Sequence, residues 1–189
     1  MDIGAAPSID RHVEGVVEMM LDATQSYKEP LTDERLFGWH AALFPTGHSG
    51  IFRITVGGWR TDEKGPMQVV SNPYGRERVH YESPAARLLD DEIAHLWFVT
   101  IHPFDDGNGR IARAIADTAL ARADGTSQRF YSMSAQIQLE RKRYYDILEH
   151  TQKGDLDSTA WLQWCLECLG RALGGAARTL ETVLNKAAF

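Results

Sequence analysis

Two apolar stretches with helical spacing, at 93–101 and 111–119, flank a run that neither helix can continue through: His102-Pro103-Phe104-Asp105-Asp106-Gly107-Asn108-Gly109-Arg110. Pro103 lacks a backbone donor and restricts the residue before it, so the first helix must stop there. The glycines at 107 and 109 supply the backbone freedom of a sharp reversal. The second helix opens near Gly109. The centre of the chain is thereby committed to helix, short polar loop, helix.

The flanking sequence supplies more helices. Asp10 is placed to cap one whose apolar face is Val13, Val16, Val17, Met20 and Leu21. Thr32 starts a second, carrying Leu36, Trp39 or His40, and Leu43, which Pro45 and Gly47 end. Across 51–81 the rhythm changes. Turn signals at Gly57-Gly58, Gly65-Pro66 and Asn72-Pro73-Tyr74-Gly75 separate β-prone pieces at 51–56, 67–71 and 78–81, and the last two read as a β-hairpin. Ser83-Pro84 opens the next helix, with Leu89, Ile93, Leu96, Trp97 and Thr100 inward. After the central loop, Ile111, Ile115, Thr118 and Ala119 face inward as far as Asp124-Gly125. Ser134 starts a helix through Ile137, Tyr144 and Leu148 to Gly154. Asp157 or Ser158 caps the last, with Trp161, Cys165, Cys168 and Ala172 on one side and Gly174-Gly175 as a break. The expected fold is all-α with one small β-hairpin, a single domain over 1–189.

Composition narrows the function classes. The formal net charge of −6 argues against duplex nucleic acid as a general partner. No apolar stretch approaches the length of a membrane span, and the first residues carry no basic and apolar leader pattern, so neither membrane nor secretion is expected. Two cysteines suit a reducing, cytoplasmic setting. Cys165-x-x-Cys168 lies within a helical apolar rhythm, which points to packing and away from redox chemistry.

The central loop carries the chemistry. A helix starting at Gly-Asn-Gly aims unpaired N–H groups and a positive dipole end into the loop, which suits phosphate. Arg110 and Arg113 are neighbours on one helix face and can grip phosphates with bidentate forks. Asp106 supplies a hard oxygen ligand for Mg²⁺ held together with substrate phosphates. His102, neutral near pH 7, can accept a hydroxyl proton. Phe104 turns inward as the anchor. Base, metal ligand, anion hole and arginine clamp are what phosphoryl or nucleotidyl transfer requires.

The run resembles the signature of the Fic family, His-Pro-Phe-x-Asp/Glu-Gly-Asn-Gly-Arg-x-x-Arg, at every position. The likeness extends to 36–47, to 67–71 with 79–81, and to 143–148, covering about 10–169. It implies the helical Fic/Fido fold with 67–81 as a flap hairpin, and protein adenylyltransferase activity using ATP and Mg²⁺. By that resemblance His102 deprotonates a Ser, Thr or Tyr hydroxyl of a target protein, and Asp106 holds Mg²⁺. Asp105, Gly107, Asn108, Gly109, Arg110 and Arg113 contact the nucleotide, Arg110 at the β-phosphate and Arg113 at the γ-phosphate. Tyr144 and Tyr145 match positions near the nucleoside, while Met67, Gln68, Val69 and Val70 form the flap edge that aligns the target.

Two features depart from the family pattern. The chain is short between Tyr81 and His95, and no Ser or Thr is followed four residues later by Glu, as in the family's inhibitory helix. The nearest echo, Asp10-Arg-His-Val-Glu14-Gly15, reads as an ordinary solvated helix start, so restraint is expected from a partner or another segment. The same fold is also compatible with transfer of UMP, phosphocholine or phosphate, or with a non-catalytic nucleotide-binding module.

Overall fold

Local rules place most of the helices. Thr32 caps helix α2 (Asp33–Leu43), its hydroxyl accepting the Arg35 N–H at 3.3 Å, which satisfies one orphan donor of the first turn. The structure, a computed structural model, describes residues 11–61, 67–71, 78–83, 95–154 and 157–187. It is predominantly helical with small two-stranded sheets. It divides into two compact units, one of residues 1–67 with 83–127 and the other of 68–82 with 128–189.

The first unit contains helices α1 (Arg11–Gln25), α2, α3 (His95–Ile101) and α4 (Asn108–Asp124), with strands β1 (His48–Ser49) and β2 (Phe52–Arg53). Helix α1 packs on α2 and α4, and α3 packs on α4. The face α1 buries is not the expected one. Gly15, Met19 and Ala23 are inside, while Val13, Val17 and Leu21 are about half exposed. Close approach decides this: a Cβ on Gly15 would lie 1.8 Å from the Ala42 carbonyl oxygen, so small residues let α1 lie against the α2 backbone. Asp10 lies outside the described residues.

In α2 both Trp39 and His40 are buried, with Leu36 and Leu43. Of the β-prone piece at 51–56, only β2 is strand. It pairs antiparallel with β1, His48 opposite Arg53 and Ser49 opposite Phe52. This hairpin, unexpected from the sequence, turns on Gly50, whose φ of 57° is in the left-handed region. The helix start at Ser83-Pro84 with Leu89 and Ile93 falls outside the described residues, and Ser83 itself ends a strand. Within α3 the buried residues are His95, Leu96, Phe98 and Val99; Trp97 turns outward, 42% exposed. Helix α4 buries Ile111, Ile115 and Thr118 as expected, but Ala119 is exposed. It ends at Gly125, φ 67°.

The second unit holds all but the outer ends, Met67 and Ser83, of strands β3 (Met67–Ser71) and β4 (Arg78–Ser83), which are hydrogen-bonded to each other as the sequence suggests. It also holds helices α5 (Met133–Leu139), α6 (Arg141–Lys153) and α7 (Thr159–Ala187). The expected single helix from Ser134 to Gly154 is therefore two. Ser132 is the cap, and the chain breaks at Glu140, whose carboxylate receives both Nε and NH2 of Arg171 at 2.6 Å. That fork fixes the corner between α5 and α6 against α7. Asp157 accepts the Thr159 N–H at the start of α7. Gly174-Gly175 does not break α7, which runs through it. Among the described residues no helix is long and apolar enough to cross a membrane.

Candidate active site

The loop between α3 and α4 is held in part by its own polar groups. Asn108 is 2% exposed, and its side chain closes on Phe104 from both sides. Its Oδ1 accepts the Phe104 N–H at 3.0 Å, and its Nδ2 donates to the Phe104 carbonyl at 2.8 Å. The turn is thereby locked, and the fully buried Phe104 ring sits among Phe37, Trp59, Phe98 and His40. Gly107, the N-cap of α4, has φ 82° and no room for a side chain, since a Cβ there would meet Phe44 at 2.8 Å. Both conformation and space demand glycine.

His102 also stands in the left-handed region, φ 53°, an uncommon setting for a residue with a Cβ. Its Nδ1 is 2.8 Å from the Val99 carbonyl oxygen. A carbonyl only accepts, so Nδ1 carries the proton and Nε2 keeps its lone pair. Burial pushes this imidazole below its ordinary value of 6.5; the Val99 hydrogen bond opposes that, the Arg60 charge assists it and Asp106 opposes it. His102 is therefore neutral at pH 7, with its unprotonated nitrogen free of any described partner.

A strap from residue 49 to residue 60 holds the loop from outside. The Ser49 hydroxyl donates to Oδ2 of Asp106, whose Oδ1 accepts the Gly107 N–H at 2.5 Å. The Thr55 N–H donates to Asp105 at 2.7 Å. Arg60 donates from its backbone to the Pro103 carbonyl at 2.9 Å and from Nε to the His102 carbonyl at 2.7 Å. His40, fully buried, links strap and loop. Its Nδ1 accepts the Gly57 N–H at 3.3 Å, its Nε2 donates to the Asp106 carbonyl at 3.2 Å, and its ring stacks on Phe104 at 4.3 Å. Desolvation holds its pKa below the usual range, consistent with that neutral tautomer.

Ser49, Thr55, Arg60 and the pinning role of His40 were not expected from the sequence. Their partners lie 17 to 66 residues away along the chain, and no periodicity reports such contacts. The one available signal was His40 itself, a polar residue on an otherwise apolar helix face.

The arginines differ from the loop residues. The Arg110 guanidinium lies over the Phe44 ring at 4.8 Å, and Arg113 is close enough for its charge to be felt by His95. Neither makes a hydrogen bond or ion pair with a described residue. The backbone N–H groups of Asn108 and Gly109 likewise have no acceptor among the described residues. Two guanidinium groups and two helix-start donors are thus available to an anion. Each Asp106 oxygen, with one donor accounted for, retains a lone pair for a cation. No cluster of three or more His, Cys, Asp or Glu able to hold a metal occurs among the described residues. One carboxylate together with substrate phosphates is the usual setting for Mg²⁺, and Asp106 fits it.

The remaining expected site residues, Met67 apart, are in the second unit. Met67 to Val70 lie in β3, Met67 belonging to the first unit and Gln68 to Val70 to the second. Tyr144 is buried in an aromatic cluster with Trp161 and Trp164, and Tyr145 packs on it at 5.0 Å with half its surface exposed. Cys165 and Cys168 are free thiols. Burial raises both pKa values, that of Cys168 to about 11 with the Glu140 charge assisting, so neither is a ready nucleophile.

Residues 30–120 match the Fic/DOC family. A stretch of 81 residues is 35% identical to the "Protein adenylyltransferase Fic" of Aedes aegypti and to that of Culex quinquefasciatus, covering 43% of this chain and 15% of each relative. The protein of the same name from Drosophila melanogaster is 32% identical over the same length, with the same coverage. The match therefore spans a small part of those relatives.

Proposed function

From a chain that carries a Fic/DOC family domain, homologous to Fic adenylyltransferases over part of its length, we propose a protein adenylyltransferase. It moves AMP from ATP to a Ser, Thr or Tyr hydroxyl of a target protein. The observation that carries this reading is the neutral His102 with an unclaimed Nε2, on the same loop–helix as two arginines that no described acid neutralises.

Nε2 of His102 takes the proton of the attacking hydroxyl while its oxygen bonds to the α-phosphorus. The bond from that phosphorus to the bridging oxygen breaks, and pyrophosphate leaves with the electron pair. Arg110 and Arg113 hold the β- and γ-phosphates, so they bind donor and leaving group alike. The N–H groups of Asn108 and Gly109, at the positive end of α4, face the charge that grows on the α-phosphoryl oxygens. Asp106 would hold Mg²⁺, which neutralises phosphate charge when bound. Free thiols at Cys165 and Cys168 suit a cytoplasmic setting, where ATP is at hand.

Intact mass spectrometry after incubation with Mg²⁺ and, in turn, ATP, UTP or a phosphocholine donor tests the proposal. An adenylyl adduct on the chain or an added lysate protein, formed from ATP and lost in His102→Ala, is the expected result. A uridylyl, phosphocholine or phosphoryl adduct in its place overturns the AMP assignment. No adduct from any donor overturns the transferase reading.

A further inference from the structure

Helix α7 has two apolar faces, and the protomer uses one. Trp161, Trp164, Cys168 and Ala172 are buried within the second unit. Roughly a quarter-turn around the helix, a second series begins with Leu162, Leu166, Leu169 and Leu173. The same alternation of four- and three-residue steps continues without a fault through Ala176, Leu180, Val183 and Ala187. Such spacing is the heptad seam of a coiled coil. Leu162, Leu166, Leu173, Leu180 and Val183 are 46–68% exposed. That leaves an apolar line on the protomer far longer than scattered surface leucines produce.

The far end of α7 needs something to pack on. Every residue of 177–187 is exposed. An unsupported helix of that length is marginal in water, and the glycine pair at 174 and 175 weakens its attachment further.

The seam is complementary to itself. When two copies run antiparallel about an axis between Gly174 and Gly175, Leu173 meets Ala176 of the other copy. Leu169 then meets Leu180, Leu166 meets Val183, and Leu162 meets Ala187. All eight positions are used, and large residues face small ones at the centre, where the glycines let the backbones approach. A parallel pair would set Ala176 against Ala176, leaving a gap. Of the residues immediately beside the seam, from Gln163 to Lys186, only Lys186 is charged. A second copy therefore meets no row of like charge, and a highly charged partner would find nothing to pair with.

We propose that α7 is a self-association surface, occupied by the α7 of a second copy of this chain in antiparallel register with its twofold axis at Gly174-Gly175. The test is sedimentation of the full chain across a micromolar dilution series. The expected species has twice the 21.2 kDa of one chain. Leu173→Glu/Leu180→Glu, at residues the protomer leaves exposed, should restore the single-chain mass while keeping the near-UV signal of the Trp161–Trp164 cluster. A wild-type chain that stays at single mass overturns the proposal and assigns the seam to a different partner. So does a double variant that stays dimeric with an intact aromatic signal. Register is read in a background with Cys165→Ser and Cys168→Ala. Leu166→Cys mixed with Val183→Cys should cross-link on oxidation. Leu166→Cys cross-linking to itself overturns the antiparallel arrangement.

Discussion

The two halves of the motif at 102–113 treat their polar groups in opposite ways. From His102 to Asn108, the side-chain groups of His102, Asp105, Asp106 and Asn108 are engaged by the protein itself, mostly by backbone partners. From Gly109 to Arg113 the Gly109 N–H and the two guanidinium groups have no acceptor among the described residues. The first half spends its polarity on holding a shape, including a left-handed His102 and a glycine at φ 82°. The second half leaves its positive charge unneutralised. A site for a polyanion needs both, because donors that must first break internal bonds bind weakly and donors on an unfixed loop must be ordered by the ligand.

The contrast is broken most severely at the base. His102→Ala should lower single-turnover transfer by about 10²–10⁴-fold while leaving ATP affinity nearly unchanged, because in the proposed reaction the imidazole acts on the hydroxyl. Rapid-quench rates beside calorimetry measure both; a variant within tenfold of the parent removes His102 from the role. Next comes the clamp. Arg113→Ala should weaken ATP by roughly ten- to a hundredfold and AMP little, a bidentate charge-assisted contact being worth about 1.5–3 kcal/mol. Equal losses for ATP and AMP would place the guanidinium elsewhere.

The pH dependence has a definite sign. As the proposed base His102 must be neutral, and its folded pKa is below 6.5. The kcat/KM profile should therefore be flat from pH 8 to about 6.5 and fall only below that. Stability falls in the same direction. His95 is buried, hydrogen-bonded to the Ala112 backbone and lowered by desolvation to about 4 from 6.5. The unfolded chain then binds the extra proton between those values, so stability is full above 6.5 and declines toward pH 4, by on the order of 3 kcal/mol for this group. Urea midpoints at pH 7.5 and 5 measure it; a midpoint unchanged between them would contradict the buried neutral state.

Asn108 and Arg113 separate the halves by stability alone. Asn108→Ala strips partners from the N–H and C=O of buried Phe104 and should cost about 1–3 kcal/mol. Arg113→Ala should change stability by no more than about 0.5 kcal/mol. Comparable losses in thermal or urea unfolding would mean that the arginine too is structural.

How legible this was depended on the range of the interactions. Capping and turn chemistry act within a few residues, which is why Thr32, Gly107 and Gly125 read correctly from the chain. Periodicity failed where backbone proximity outranked apolar volume, as at Gly15 and Ala23, where α1 turns its valines outward. It also failed where a distant charge made a corner, as when Arg171 takes hold of Glu140 and splits α5 from α6. At the site, residue types and local order were readable because His102, Asp106, Gly107 and the arginines are adjacent in sequence. The strap through Ser49, Thr55, Gly57 and Arg60 was not, since each of its contacts joins residues separated by a turn-rich segment whose course has no period.

The smallest effect is expected at Glu14, and it bears on whether the open half of the motif is truly open. An acidic residue on α1, three places from the start described for that helix, is where an internal competitor for Arg113 would sit by analogy of sequence alone. Yet Glu14 is exposed, and Arg113 forms no ion pair with a described residue. The helix face α1 turns inward carries Gly15, Met19 and Ala23, which leaves Glu14 on the solvent side. Glu14→Gly should therefore leave auto-modification with labelled ATP and Mg²⁺ within about twofold of the parent, the range of a surface substitution. A contact to a charged group, if one existed, would be worth about 1.5–3 kcal/mol, and its release would raise the rate at least tenfold. A silent parent awakened by Glu14→Gly, with His102→Ala still silent, would show that α1 supplies the missing anion. In that case the unneutralised arginine would be occupied in solution, and restraint would be built into the chain instead of coming from a partner.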